Sequence, residues 1–260
     1  MGVVRTDQWL LHTSQKPQEF CKKLKKAFRY ATEIEIYDKL TAHGMFQIEL
    51  PNSKEYINTF TEKNFWNMVR EEELKLSKLW NGPEVPIFIF PSDPFNRELN
   101  MEHNGKSGLA FHDKLFLFVS TKNSAEEIRA LFTHEYNHVC RLAKFSKKET
   151  EYTLLDTMVL EGIAENAVQE LIGKDYLANW ATLYTEKELK LFWKQLLPVC
   201  HLPINHPKHN HFLYGYRTLP KMLGYSVGYY LVKQFLEISG LTIKETLAKA
   251  SKEIAQLPNS

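Results

Sequence analysis

The sequence predicts an α+β fold that is mainly helical, with a small mixed sheet placed before a long helix near the middle of the chain. Three observations support this prediction. Apolar residues recur with helical spacing before residue 81, short strand-sized apolar segments lie between residues 85 and 119, and helical spacing returns in most segments after Ser120. Strands and helices that occupy separate blocks of the chain are typical of the α+β class.

The composition is that of an ordinary globular protein, and it limits the classes of partner. The 260 residues include 33 Lys and Arg against 31 Asp and Glu, a formal net charge of +2. So small an excess argues against a nucleic-acid partner. No apolar stretch reaches the roughly 18 residues of a membrane-spanning helix, and the N-terminus has no secretory signal pattern. Three cysteines without C-x-x-C spacing fit a reducing, cytoplasmic location.

The first 80 residues are predicted to form a helical N-terminal region. Helical spacing extends over residues 15–37 and again over residues 53–80, where Asn81-Gly82-Pro83 ends the pattern. Residues 81–260 form a second region, and we expect the two regions to make one continuous compact unit.

Three short apolar segments predict a sheet of three to five strands. Residues 85–90 form the first strand, and Pro86 places it at a strand start or at an edge. Residues 109–111 and 114–119 form the other two strands, joined by the turn pair His112-Asp113.

After Ser120 the spacing of apolar residues predicts six helices, over residues 124–144, 152–172, 175–182, 186–196, 219–238 and 242–255. The segment 198–216 is rich in Pro and His and is predicted to be irregular. We interpret its histidines as part of a solvated loop that can bind stray metal rather than as a second functional site; the alternative is that they line the mouth of the cleft. They are His201, His206, His209 and His211.

The helix over residues 124–144 carries the strongest chemical motif in the chain. Ser124 and Glu127 form a capping box that supports its start. Further along lies His134-Glu135-Tyr136-Asn137-His138, in which two imidazoles four residues apart share one helix face and can bind a single Zn²⁺. Glu135 is about 100° further round the helix and can reach a metal-bound water as general base.

A third metal ligand is expected from the helix over residues 152–172. Glu161 and Glu165 lie four residues apart in an otherwise apolar run, and carboxylates rarely face a core unless they are paired or bind metal. The 22 residues between His138 and Glu161 suffice for a loop and an antiparallel return. We therefore predict one zinc ion held by His134, His138 and Glu161, with Glu165 accepting a hydrogen bond from a ligand imidazole.

These segments resemble known metallopeptidases. H-E-x-x-H followed by Glu161-Gly162-Ile163-Ala164 is similar to the gluzincin family, although Leu160 stands where its aminopeptidase branch has Asn and the 22-residue gap between His138 and Glu161 is longer than in that family. Four segments more closely resemble the bacterial YjaZ-like family of predicted Zn-dependent proteases: His134 to Arg141, Glu161 to Glu165, Trp80 to Pro83 with Ile87 to Pro91, and Gly224 to Tyr229. The resemblance spans about residues 37–237. It implies a zincin-like fold, bound zinc and proteolytic activity.

The motif Gly224-Tyr225-x-x-Gly228-Tyr229 has two readings. The glycines form a helix stripe that lets another backbone approach closely, which helix packing alone explains. Hydrolysis at zinc also needs a donor for the developing oxyanion, and a Tyr hydroxyl suits that role. Tyr225 is our candidate; the competitors are Tyr214, Tyr216, Tyr229 and His211.

The predicted function is a zinc metallopeptidase, with Glu135 as the general base toward zinc-activated water and a peptide or protein as substrate. The strand over residues 114–119 is either a plain sheet strand or an edge on which an extended peptide pairs through backbone hydrogen bonds. Two alternatives are a zinc-binding regulatory or interaction module that cleaves nothing, and a zinc hydrolase of small amides or esters. An intact Glu135 argues against the first alternative, because a purely structural site has no use for it.

Overall fold

The computed structural model describes residues 2–12, 17–47, 53–145 and 147–256. The chain forms two compact units. The sheet unit comprises Met1–Lys78 and Pro83–Val139, and the helical unit comprises Leu79–Gly82 and Cys140–Ser260. Each unit combines two separate segments of the chain. The division into regions 1–80 and 81–260 stays a prediction.

Helices at the start of the sheet unit are shorter than the sequence pattern predicts. They are α1 Thr6–His12, α2 Pro17–Leu24 and α3 Glu33–Ala42. The prediction of one helix over residues 15–37 is wrong after α2 and its short 3₁₀ extension, and residues 15 and 16 lie outside the described residues. Thr32 begins a new helix because its side chain accepts a hydrogen bond from the Glu35 N–H, while its own N–H donates to the Glu35 carboxylate.

The predicted helix over residues 53–80 is likewise two helices, α4 Ser53–Glu62 and α5 Phe65–Trp80. Asn64 lies between them with φ 58°, a left-handed conformation that no α-helix can contain. Asn tolerates this conformation better than most residues, so the break is encoded locally.

A four-stranded mixed sheet lies in the sheet unit. Its strands are β1 Gly2–Val3, β2 Pro86–Pro91, β3 Ser107–Ala110 and β4 Leu115–Val119, in the order β1-β2-β4-β3. Strand β2 is parallel to both β1 and β4, and β3 is antiparallel to β4. Helix α6 Arg97–Glu102 connects β2 to β3. Pro86 is the first residue of β2, as predicted, where its missing N–H costs least.

The prediction that the strand over residues 114–119 could lie at an edge is wrong. Strand β4 lies between β2 and β3. The chain reverses at residues 112–113, where the Phe111 N–H donates to the Lys114 carbonyl at 2.9 Å, and β3 therefore folds back along β4. Within the residues that the structure describes, β3 carries the free edge on this side of the sheet.

The two faces of the sheet differ in composition. Phe88 lies opposite Phe116, and their rings stack with centroids 4.9 Å apart. Trp9 of α1 and Phe20 of α2 contact this aromatic face. The other face carries aliphatic residues and Gly108; they include Ile87, Ile89, Leu115 and Leu117.

Helix α7, Ala125–Lys144, follows the sheet and confirms the predicted helix over residues 124–144. The capping box forms as expected. The Glu127 N–H donates to Ser124 Oγ at 3.1 Å, and the Ser124 N–H donates to Glu127 Oε2 at 2.9 Å.

The helical unit is organised around α8 Leu154–Leu171, which contacts α10, α11, α12 and α13. The other helices are α9 Glu186–Leu196, α10 His209–Tyr214, α11 Leu223–Ser239, α12 Ile243–Thr246 and α13 Ser251–Ile254. Two predictions need correction: residues 175–182 form 3₁₀ turns, and residues 242–255 form two short helices. No helix in the described parts of the chain combines the length and the apolar character needed to cross a bilayer.

The close packing of α8 against α11 depends on glycine. A Cβ at Gly228 would clash with the Met158 carbonyl and lie 3.0 Å from Met158 Cα, and a Cβ at Gly162 would clash with the backbone of Gly228. The predicted glycine stripe therefore serves helix packing, as one of its two readings proposed.

Candidate metal centre

His134 and His138 lie on α7 with the spacing that the sequence predicts. Their ring centroids are 4.6 Å apart and the ring planes are inclined at 84°. His138 is buried, with 8% of its surface exposed, and His134 is half-buried. The α-helix places residues four apart on one face, so this arrangement follows from local structure alone.

Glu161 of α8 offers a third ligand atom. One nitrogen from each imidazole and one carboxylate oxygen of Glu161 all lie within 4.8 Å of one another. Two imidazoles and a carboxylate form a donor set that suits zinc, and three protein donors leave a fourth position open. The residues present therefore fit the metal that the sequence motif implies.

Helix α8 positions Glu161 because its start is fixed. Thr153 caps the helix: its side chain accepts a hydrogen bond from the Asp156 N–H at 3.3 Å, and its own N–H donates to Asp156 Oδ2 at 2.9 Å. Gly162, directly after Glu161, allows α11 to approach. These features hold the turn that carries Glu161.

Glu165 lies one turn further along α8 and is 2% exposed. Its Oε1 accepts a hydrogen bond of 2.5 Å from the Ala178 N–H. A backbone donor therefore compensates part of the cost of burying this carboxylate. The hydrogen bond from Glu165 to a ligand imidazole stays a prediction.

Glu135 is 8% exposed and packs against the edge strand of the sheet unit. A Cβ built on Gly108 of β3 would overlap the Glu135 side chain and lie 2.6 Å from its Oε1. Gly108 is not among the site residues predicted from the sequence. The signal that could have found it is an isolated glycine inside a strand pattern, which often marks a close approach of another group.

Tyr225 belongs to an aromatic group in the helical unit. Its ring contacts Trp180, with centroids 5.2 Å apart, and Tyr214, with centroids 5.5 Å apart. Tyr214 also stacks on Tyr216. The role of Tyr225 as oxyanion donor stays a prediction.

Tyr229 of α11 has a hydrogen-bond partner for its hydroxyl on α8. Its hydroxyl donates to Gln169 Oε1. Burial, followed by the nearby Glu165 carboxylate, raises the pKa of Tyr229 to about 12. Helix packing accounts for this side chain.

The histidines of residues 198–216 do not all belong to a solvated loop. His209 is 1% exposed and starts α10, with its Nε2 3.2 Å from Thr157 Oγ1. His201 is exposed. The prediction that the whole segment is irregular is wrong, since it contains α10. The sequence did not show this helix because six residues are too few to reveal a helical period.

A buried polar network joins the end of α7 to the start of α8. Arg141 is 2% exposed and donates to the carbonyls of Leu247 and Lys249 at 2.7 and 2.6 Å. Ser251 Oγ donates to Asp156 Oδ1 at 2.7 Å, and Lys147 Nζ donates to Asp156 Oδ2 at 2.7 Å. Burial alone would raise the pKa of Asp156, but hydrogen bonds from Lys147, Ser251 and Thr153 hold it below its ordinary value.

Comparison with known proteins supports the resemblance seen in the motifs. The family model described as "Predicted Zn-dependent protease (DUF2268)" matches residues 65–256. The chain is 42% identical over 217 residues to "Uncharacterized protein YjaZ" of Bacillus subtilis (strain 168), covering 82% of either protein. It is 24% identical over 183 residues to "Uncharacterized protein YjfC" of the same organism, covering 67% of this chain and 61% of that relative. No solved structure matches it significantly. The chain therefore belongs to the YjaZ-like family of predicted Zn-dependent proteases.

Proposed function

We propose that this protein is a zinc-dependent peptidase that binds one zinc ion per chain. The observation that carries the proposal is the convergence of His134, His138 and Glu161 within 4.8 Å, with the carboxylate of Glu135 one residue from the first ligand. A site that only held the fold together would gain nothing from a second carboxylate that does not bind the metal. The family's description supports the same function.

In this proposal the residues of the chain divide the work. His134, His138 and Glu161 hold the zinc ion, which when bound acts as a Lewis acid and makes water more acidic. Glu135 accepts the proton of the attacking water and passes it to the leaving amine. The Tyr225 hydroxyl donates a hydrogen bond to the oxyanion, and Glu165 accepts a hydrogen bond from a ligand imidazole and fixes its orientation.

The free edge of β3 is our candidate for holding the substrate backbone. Phe111 and Lys114 form a hydrogen-bonded pair at the hairpin end, and such pairs alternate with non-bonded pairs along an antiparallel ladder. The N–H and C=O groups of Gly108 and Ala110 therefore point away from β4. An extended peptide can pair with them as an added strand. Gly108 also contacts Glu135, so a peptide bound there lies next to the general base.

The proposal is tested by metal analysis combined with digestion of a peptide library. We expect about one zinc per chain and cleavage that stops with a chelator and returns with zinc. His138→Ala should lose stoichiometric zinc and cleavage together. His201→Ala is the matched control, since His201 is exposed and lies outside the proposed site.

The same experiment separates the alternatives. Stoichiometric zinc without cleavage of any peptide would favour a non-catalytic zinc module. Cleavage limited to small amides or esters would favour the alternative in which the protein is a zinc hydrolase of such small molecules. Full zinc retention by His138→Ala would show that the ligand assignment is wrong.

A further inference from the structure

We infer that Gly108 is a positioning residue for Glu135: the missing side chain on β3 provides the space that the carboxylate needs for catalysis. The inference rests on the proposed function for its catalytic part. Its steric part rests on the contact between the two residues alone.

The geometry of β3 directs residue 108 toward α7. Gly108 pairs with Leu117 of β4, and side chains of directly opposed residues share a face of the sheet. That face is the aliphatic one, opposite the layer of Phe88 and Phe116. Because the overlap of a Cβ at position 108 involves Glu135, this aliphatic face is the one that meets α7.

Any side chain at position 108 would occupy the place of the carboxylate. The built Cβ overlaps Glu135 Cγ and Cδ and lies 2.6 Å from Oε1, a separation that real Cβ atoms do not show. The overlap reaches the middle of the side chain, so rotating the carboxylate alone does not relieve it. The buried Glu135 must turn away as a whole or β3 must move.

Backbone conformation does not require glycine at this position. Gly108 does not have a positive φ, and any residue can adopt its extended strand conformation. Glycine in a strand interior costs stability because it loses more conformational freedom on folding than other residues. The contact with Glu135 therefore explains why position 108 has no side chain.

The first test is kinetic and uses Gly108→Ala with the zinc-loaded enzyme. We expect zinc content to stay unchanged, kcat to fall roughly 10-fold to 100-fold, and KM to change by less than about 3-fold. In a Glu135→Gln background the same substitution should cause less than about a 2-fold further loss, because residues that act through one group are not additive.

The second test measures melting temperature in the metal-free protein and needs no activity. Gly108→Ala should lower the melting temperature by roughly 3–10 °C, the scale of overpacking in a core. In a Glu135→Ala background, where the new methyl group has room, this loss should largely disappear. Gly240→Ala is the matched control for the kinetic test. No atom lies within 4 Å of the added Cβ, but the positive φ of +65° strains an alanine there. This variant should therefore lose stability and keep its kcat.

The outcomes separate this inference from the proposed function. Unchanged kcat in Gly108→Ala, or equal melting losses with and without the Glu135 side chain, would overturn the inference. Absence of cleavage by the unmodified chain would overturn the proposed function and the catalytic part of the inference, and the melting temperatures would still decide the steric part.

Discussion

Glu135 is the side chain on which the distinction between an enzyme and a zinc-binding module depends. Glu135→Gln preserves size and leaves the three metal donors in place, but the amide cannot accept a proton from water. We expect unchanged zinc content and a fall in turnover of roughly 10²-fold or more, the scale of a lost general base. Zinc analysis and steady-state kinetics on one peptide substrate check this. Equal turnover in both proteins would remove Glu135 from the mechanism.

Tyr225 is tested by removing a single oxygen atom. If the hydroxyl donates to the oxyanion, Tyr225→Phe should lower kcat on the order of 10-fold to 10³-fold without loss of zinc. Tyr229→Phe is the matched control, because that hydroxyl is bound to Gln169. It should lower stability and leave kcat unchanged. A Tyr225→Phe enzyme with full activity would assign this residue to the packing against Trp180.

Asp156 makes stability depend on pH in a defined direction. Its pKa lies below the unfolded value in the folded protein, so its contribution is present above about pH 4 and is lost as the pH falls through the folded pKa. Asp156→Asn should lower the free energy of unfolding at pH 7 by about 3 kcal/mol, because Lys147 and Ser251 lose a buried charged partner.

Urea unfolding between pH 7 and pH 3 checks the prediction for Asp156. The difference between the unmodified protein and Asp156→Asn should shrink below about pH 4 as the carboxylate is protonated. A difference that is constant or grows on acidification would contradict it.

The contact between α8 and α11 predicts a large cost for one added methyl group. In Gly228→Ala the new Cβ meets the backbone of Met158, which cannot rotate away as a side chain can. The helices must separate, and we expect a loss of about 1–3 kcal/mol in the free energy of unfolding. Urea denaturation measures it. A loss below about 1 kcal/mol, with the packing of α8 against α11 unchanged in a crystal structure, would contradict the prediction.

Helix boundaries show where sequence pattern succeeds and where it fails. The Ser124 cap and the period of α7 predicted its start and end closely, because both signals are local. Helical spacing alone did not predict the breaks at Thr32 and Asn64. The helices on either side of each break bury apolar residues with the same period. The breaks depended on one left-handed residue and one capping box.

Zinc removal tests how far the fold depends on the metal. The helical unit has an apolar core around α8 and α11, so zinc should stabilise an already folded state by mass action rather than create it. Removing zinc should cost about 2.7 kcal/mol relative to a free zinc concentration 100 times the dissociation constant. Circular dichroism melts with and without chelator check this. Complete loss of the helical signal on chelation at 25 °C would contradict it.

The sequence by itself determined the helical character of the chain, the sheet segments, and the His134 and His138 pair with Glu135 beside it. These features follow from periods of two and 3.6 residues and from caps, which act over a few residues. Glu161 could be proposed as the third metal ligand from the sequence, because a carboxylate in an apolar helix is rarely buried unless it is paired or binds a metal. Only the tertiary structure brought its oxygen within 4.8 Å of both imidazoles.

The tertiary structure alone also decided which strand is the edge and what lies against Glu135. Strand order depends on pairings between residues far apart in the chain. The continuous apolar run of β4 is typical of a buried strand, but it does not specify which strands lie beside it. Gly108 and Glu135 are 27 positions apart in the numbering (135 − 108), and their contact arises only when α7 packs on the aliphatic face of the sheet. An isolated glycine in a strand indicates that another group approaches closely, but the sequence does not identify that group. At position 108 the structure identifies it as Glu135.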